Sequence, residues 1–192
     1  MLITYFSPIA SAYFDARDAD EDLHPETKFD YIHGRMQTVP AAHPWSILQY
    51  AFHSMAPGGY LEMQDMCFPA RCDDASLTNT AFERWNKLIL EGARKLGRPW
   101  SNPQLYKTWM QEIGFVDVTE KVFTWPISQW SRDQELMDLS RLVQKDFLDG
   151  LEGLSLTVLM RGLNWSREQV EVFLTRVRRD VMDTDIHGYF SV

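Results

Sequence analysis

Only two cysteines occur in the 192 residues, Cys67 and Cys72. Two thiols cannot make a disulfide framework, and this pair has no second ligand pair to close a zinc site, so both read as free. Long apolar runs are missing as well. Nothing approaches the ~20 consecutive apolar residues of a membrane-spanning helix, and the opening MLITYFSPIASAY carries neither a basic n-region nor a sustained apolar h-region. Positive charge is scarce: 19 Lys and Arg stand against 27 Asp and Glu, a formal net charge of -8. That balance offers no basic face for nucleic acid or an anionic membrane surface. His43 and His53 bracket one helical stretch without metal-ligand spacing, so no metal is expected. Repeats and low-complexity linkers are absent too. What is present is 45% hydrophobic and 13% aromatic, enough for a folded chain. The expectation is a single domain over residues 1–192, cytoplasmic, with a small molecule or a protein as partner.

Short strand-like runs alternate with helical patterns. The runs are Leu2 to Phe6, Ala12 to Ala16, Phe29 to Gly34, Gly59 to Asp65, Phe115 to Trp125 and Ile186 to Val192. This alternation predicts an α/β fold with a mostly parallel sheet, Phe29 to His33 lying buried at its centre. Pro44 opens a helix with Ile47, Leu48, Ala51, Phe52 and Met55 on one face, ended by Pro57-Gly58-Gly59. Helical spacing recurs from Leu77 to Gly97, and Asn102-Pro103 starts a further helix stopped at Gly114. Capping boxes are read at Ser131 with Gln134 and at Ser166 with Gln169. They predict a helical insertion over about 131–183, broken near Gly150 and Gly162, before the last strand.

In open α/β sheets ligands sit beyond the carboxyl ends of the strands. The residues there include Ser7, Arg17, Asp18, His33 to Arg35 and Glu62 to Asp65. At these places the sequence resembles the class I S-adenosylmethionine-dependent methyltransferases, and most closely the fungal group containing LaeA-like and other secondary-metabolism methyltransferases. The matching words include SPIA (7–10), DADED (18–22), FDYIHGRM (29–36), PGGYLEMQD (57–65), GFVDVTEKVFTWPI (114–127) and IHGYF (186–190). The likeness runs along essentially the whole chain, in order. It implies a Rossmann-like fold, S-adenosyl-L-methionine as cofactor and methylation of a small molecule, with a nuclear location suggested by analogy alone.

The family's first strand and its DxGxGxG loop find no match in these residues, and Tyr5 stands where a ribose-binding acid is usual. The sequence thus reads as an N-terminally truncated version of the fold, with weak cofactor binding expected of this stretch alone. An uncovered sheet would then favour a protein partner or a homodimer. A non-catalytic interaction protein, or a non-methylating enzyme such as a cyclase reusing the cleft, remain alternatives.

The resemblance places Ser7, Asp18, Ala19 and Gly34 at the cofactor, with the Asp18 carboxylate accepting from the adenine amino group. The acidic run Asp15 to Asp22 is also what a solvated loop looks like. His33 could serve as a base near neutral pH, and Arg35 could hold a carboxylate. The alternative is a structural loop in which Gly34 permits the turn and Arg35 pairs with an acid of that acidic run. Glu62 and Gln64 alternate with Leu61 and Met63 in their strand and fit substrate-facing positions. Trp85, Tyr106, Trp109 and Trp125 are candidates for an aromatic pocket, although helical spacing makes Trp85 and Trp109 better core residues.

Overall fold

A computed structural model of the chain describes residues 28–37 and 43–192. The strands expected at Leu2 to Phe6 and Ala12 to Ala16, together with Ser7, Asp18 and Ala19, lie outside the described residues. The elements are β1 (Phe29–Arg35), α1 (Pro44–Ser54), β2 (Met55–Gln64), β3 (Cys67–Arg71), α2 (Ala81–Lys95), a 3-10 turn (Asn102–Leu105), α3 (Tyr106–Ile113), β4 (Thr124–Pro126), α4 (Gln134–Thr157), a π-helical turn (Val158–Gly162), α5 (Arg167–Met182) and β5 (Tyr189–Ser191).

Strand pairing departs from the expected mostly parallel sheet. Among the described residues β1 and β2 form one parallel pair, and β3, β5 and β4 form a separate antiparallel sheet in that order. Phe29 and Tyr31 are 43% and 54% exposed. They are not at a buried sheet centre, because β1 has a strand on one side only among the described residues and one of its faces is left open. The expected strand Phe115 to Trp125 shrinks to Thr124–Pro126 for a related reason. Its ladder with β5 ends at the reciprocal pair Phe123–Val192, with N–H···O distances of 2.7 and 2.9 Å, and among the described residues those before Phe123 have no partner rung. β3 was not foreseen: Asp65 and Met66 separate it from β2, and its CFPAR sequence contains a proline that argues against a strand.

The helices follow the apolar periodicity closely. Thr80 caps α2 by accepting from the Glu83 N–H at 3.0 Å. The buried Asp180 carboxylate on α5 takes the next orphan donor, the Phe82 N–H, at 3.1 Å. Gly97 (φ 75°) and Gly114 (φ 117°) end their helices in the left-handed region, where an L side chain is strained. Ser166 and Gln169 form the expected capping box. At α4 the cap is Asp133 rather than Ser131, its carboxylate accepting from the Glu135 and Leu136 N–H groups. Ser131 sits one step out and accepts from the Asp133 N–H. α4 also runs unbroken through Gly150. The interruption comes only at the π-helical turn ending at Gly162.

The main core lies where α2, α4 and α5 cover the three-stranded sheet. Phe68, Phe82, Trp85, Phe147 and Phe190 form its centre. Their rings meet at centroid distances of 5.1 to 6.3 Å, mostly edge-on, the arrangement ring quadrupoles favour. The wholly buried Trp85 indole is satisfied, its N–H donating to Ser155 Oγ at 2.8 Å. Trp85 is therefore core, not pocket. No helix among the described residues is long and apolar enough to cross a membrane.

Candidate functional site

β1 and β2 run parallel, so both bring their carboxyl ends to the same edge of the molecule. Their register pairs His33 with Glu62, Gly34 with Met63 and Arg35 with Gln64. Strand alternation then sets Tyr31, His33 and Arg35 on one face with Tyr60, Glu62 and Gln64, and leaves Ile32, Gly34, Leu61 and Met63 on the other. Four of the residues singled out from the sequence thus become two cross-strand pairs. Tyr31 joins them: its hydroxyl donates to Glu62 Oε2 at 2.5 Å, and its ring stacks on that of His33 at 6.2 Å and 17°. The Glu62 carboxylate accepting that bond raises the Tyr31 phenol above its ordinary pKa.

Gly34 has a local reason to be glycine. A Cβ there would lie 2.6 Å from Met63 Sδ, so the thioether can pack directly on the β1 backbone only because no side chain intervenes. The strand then closes with Met36 at φ 53°, its N–H donating to the Gln64 carbonyl at 3.0 Å.

Beside this end a cleft of about 520 Å³ runs along the edge of β2 that faces away from β1. Glu62, Gln64, Asp65 and Cys67 line one side, Tyr106, Lys107 and Met110 of α3 another, and Val118 to Phe123 the third. His33 and Arg35 stand on the neighbouring strand, outside its lining. Asp65 is 6% exposed and accepts from the Tyr106 hydroxyl at 3.0 Å. Burial raises the Cys67 thiol pKa, with Asp65 and Glu120 adding to the effect and Arg71 opposing it. Of the aromatic candidates, Tyr106 reaches the cleft. Trp109 instead packs edge-on against Trp45 at 5.8 Å.

The sequence reads Cys67 only as a free thiol and gives Glu120 and Lys121 no site role, because β3 is not expected and Phe115 to Trp125 reads as a strand; Lys107 carries no signal beyond its place in a helix. Sequence reasoning also missed a polar cluster before β5. His187 Nδ1 lies 2.6 Å from Asp74 Oδ2, the Cys72 thiol donates to Asp74 Oδ1 at 3.0 Å, and the His187 N–H donates to Ser76 Oγ at 2.9 Å. A histidine five residues from the end, opposite an acidic turn, left no periodic signal that could have paired them. Among the described residues no group of three or more His, Cys, Asp or Glu side chains is placed to hold a metal ion.

No protein-family model matches the chain. Curated relatives do. The probable methyltransferase tdiE of Emericella nidulans is 34% identical over 93% of this chain and 56% of its own length. The methyltransferase pytC of Aspergillus terreus is 27% identical over 95% of the chain and 56% of its own length. The protein-methionine methyltransferase laeA of Emericella nidulans is 25% identical over 85% and 44% respectively. The chain spans about half the length of these relatives. Similarity to three differently named members is sustained along most of this sequence: the chain is similar to the fungal secondary-metabolism methyltransferases that include the LaeA-like proteins.

Proposed function

We propose that the chain is a Rossmann-like, S-adenosyl-L-methionine-dependent methyltransferase-family protein that acts on a small molecule, and that methyl donor and acceptor meet at the joined ends of β1 and β2. The observation that carries this reading is the parallel register of His33, Gly34 and Arg35 with Glu62, Met63 and Gln64. It assembles an imidazole, a guanidinium, a carboxylate and an amide at one strand end, next to a cleft of about 520 Å³, within the range of small-molecule sites.

These groups suit the cofactor's chemistry. A sulfonium and an ammonium are cationic, and the Glu62 carboxylate with the Tyr31 and His33 rings offers them a negative and aromatic surface. The cofactor would supply an activated methyl group, leaving alignment to the protein. His33 in its neutral form accepts the proton released by an oxygen or nitrogen nucleophile. Arg35 holds an acidic group of the acceptor, while Gln64 and the polar groups along the outer β2 edge orient it in the cleft. Ser7, Asp18 and Ala19 are assigned to the cofactor by resemblance.

The test is an NMR titration of the protein with S-adenosylhomocysteine up to a few millimolar. Shifts centred on the amides of Tyr31 to Arg35 and Glu62 to Asp65 are expected, reduced in Glu62→Gln. A flat titration, or shifts confined to α4 and α5, would overturn the proposal. A second reading, a non-catalytic interaction protein, is favoured by one observation: Tyr60, Val116, Val122 and Phe123 stand 57% to 83% exposed around the cleft. Partner-dependent burial of these side chains with no response to S-adenosylhomocysteine would select it.

A further inference from the structure

A second concavity lies on the other side of the core, between α2 and the first half of α5. Its volume is about 390 Å³, and its lining includes Arg84, Trp165, Glu168, Val172, Phe173 and Arg176. The floor is apolar: Trp165 meets Phe173 edge-on at 5.4 Å, and Val172 is 59% exposed to the opening. The Arg84 guanidinium lies over the Phe173 ring, 5.7 Å from its centroid. Arg176 is one turn further along α5, on the same side as Phe173.

Charge decides what such a floor would accept. On these helices Lys87 pairs with Glu83, Lys95 with Glu91, and Arg167 with Glu171 and Glu152; of the arginines without an ion pair among the described residues, Arg84 and Arg176 are the two that line the groove. Among the described residues neither Arg84 nor Arg176 has a carboxylate partner. Glu168 is the one acid in the lining and makes no ion pair with either. A guanidinium held over a ring face still has N–H donors to offer a carboxylate. The volume suits one fused aromatic ring system better than a peptide segment.

We propose that this groove is a binding site for an aromatic carboxylate, its ring lying on Trp165 and Val172 and its carboxylate receiving hydrogen bonds from Arg84 and Arg176. The site is separate from the β1/β2 cleft and does not depend on methyl transfer.

Calorimetric titration with 2-naphthoate tests it, with neutral 2-naphthol as the matched probe. Saturable binding is expected, weakened about tenfold or more in Arg84→Gln/Arg176→Gln, as loss of charge-assisted hydrogen bonds implies. It should be unchanged in Arg179→Gln and weaker for 2-naphthol. Both altered arginines are exposed, and unfolding curves of the variants check that the fold persists. Equal binding of the two probes, binding indifferent to the double substitution, or no saturation by 2-naphthoate would each overturn the proposal.

Discussion

Adding a single methyl group to a glycine should have opposite consequences at two places in the helical region. A Cβ built on Gly162 would lie 2.6 Å from the Gly92 carbonyl oxygen, 2.9 Å from its Cα and 3.0 Å from its carbonyl carbon. Carbon atoms prefer separations of about 3.5 to 4.0 Å. The atoms in the way belong to the α2 backbone, so no side-chain rotation relieves the clash, and α2 must move by somewhat under 1 Å against the π-helical turn. The contact is close from the other side too, since a Cβ on Gly92 would lie 2.7 Å from Val158 Cγ1 and 2.8 Å from its carbonyl oxygen. Overpacking of this kind costs roughly 1 to 3 kcal/mol, and the improved helix propensity of alanine returns at most about 1 kcal/mol. Gly162→Ala should therefore destabilise by about 1 to 2 kcal/mol. At Gly150, inside α4, the added Cβ meets nothing within 4 Å, so only the propensity term acts, and Gly150→Ala should stabilise by about 0.5 to 1 kcal/mol. For a chain of this length each kcal/mol moves the melting temperature by about 2 to 4 °C. Thermal unfolding followed by far-UV circular dichroism should thus give shifts of opposite sign, with urea midpoints in the same order. If Gly162→Ala proves as stable as Gly150→Ala, the α2 backbone does not touch the π-helical turn and the described crossing is wrong.

Three further outcomes follow from named contacts. Asp133→Ala should cost about 0.5 to 2 kcal/mol as loss of the α4 cap, and Ser131→Ala distinctly less, measured by urea unfolding; the reverse order would restore the cap to Ser131. Phe190→Ala, which empties the centre of the aromatic cluster, should cost about 3 to 5 kcal/mol by the same measurement; a cost under 1 kcal/mol would place Phe190 outside a packed core. The Asp74 carboxyl is held well below the ordinary carboxylate range by the Ser76 hydroxyl, then the Cys72 thiol, the Ser76 N–H and His187. A folded-state pKa below the unfolded one contributes stability above the unfolded pKa of about 4, and that stability is lost as pH falls further. Asp74→Asn should accordingly flatten the acid limb of a stability–pH curve below pH ~4; an unchanged limb would show that this carboxylate gains nothing on folding.

How legible each element was depends on what holds it. α2, α3 and α5 were readable from sequence because local chemistry alone defines them: an apolar stripe, a capping hydroxyl, and the left-handed Gly97 and Gly114. The α4 start was misplaced by two residues because Ser131 and Asp133 are both competent caps, and only the fold decides which carries the first turn. Gly150 was misread for a similar reason. A glycine weakens a helix by about 1 kcal/mol, which the burial of Phe147 and Leu151 on either side readily outweighs. Strands were less legible because a strand needs a partner. Val116, Val118 and Val122 carry strong β propensity, yet the rungs that would use it end at Phe123, and propensity without a facing strand does not make a ladder. β3 shows the converse: CFPAR has a poor strand sequence and becomes one because β5 is there to pair with it.

The candidate site was legible for another reason, and that reason bears on how it can be tested. His33, Arg35 and Glu62 were chosen as polar residues near the ends of apolar runs, and the register of β1 on β2 converts their spacing in sequence into adjacency in space. None of the three is buried, and none belongs to the aromatic core around Phe82, Trp85 and Phe190. Stability and the proposed chemistry therefore reside in different parts of the molecule, one in the helices covering the antiparallel sheet and the other at the end of the parallel pair. Substitutions at exposed surface positions usually change stability by no more than about 0.5 kcal/mol. Removing the imidazole in His33→Ala should accordingly leave the unfolding curve in place while abolishing proton acceptance at that strand end. A large loss of stability in His33→Ala would mean instead that the imidazole is a structural member of the Tyr31–Glu62 contact, and the assignment of a base would fall with it.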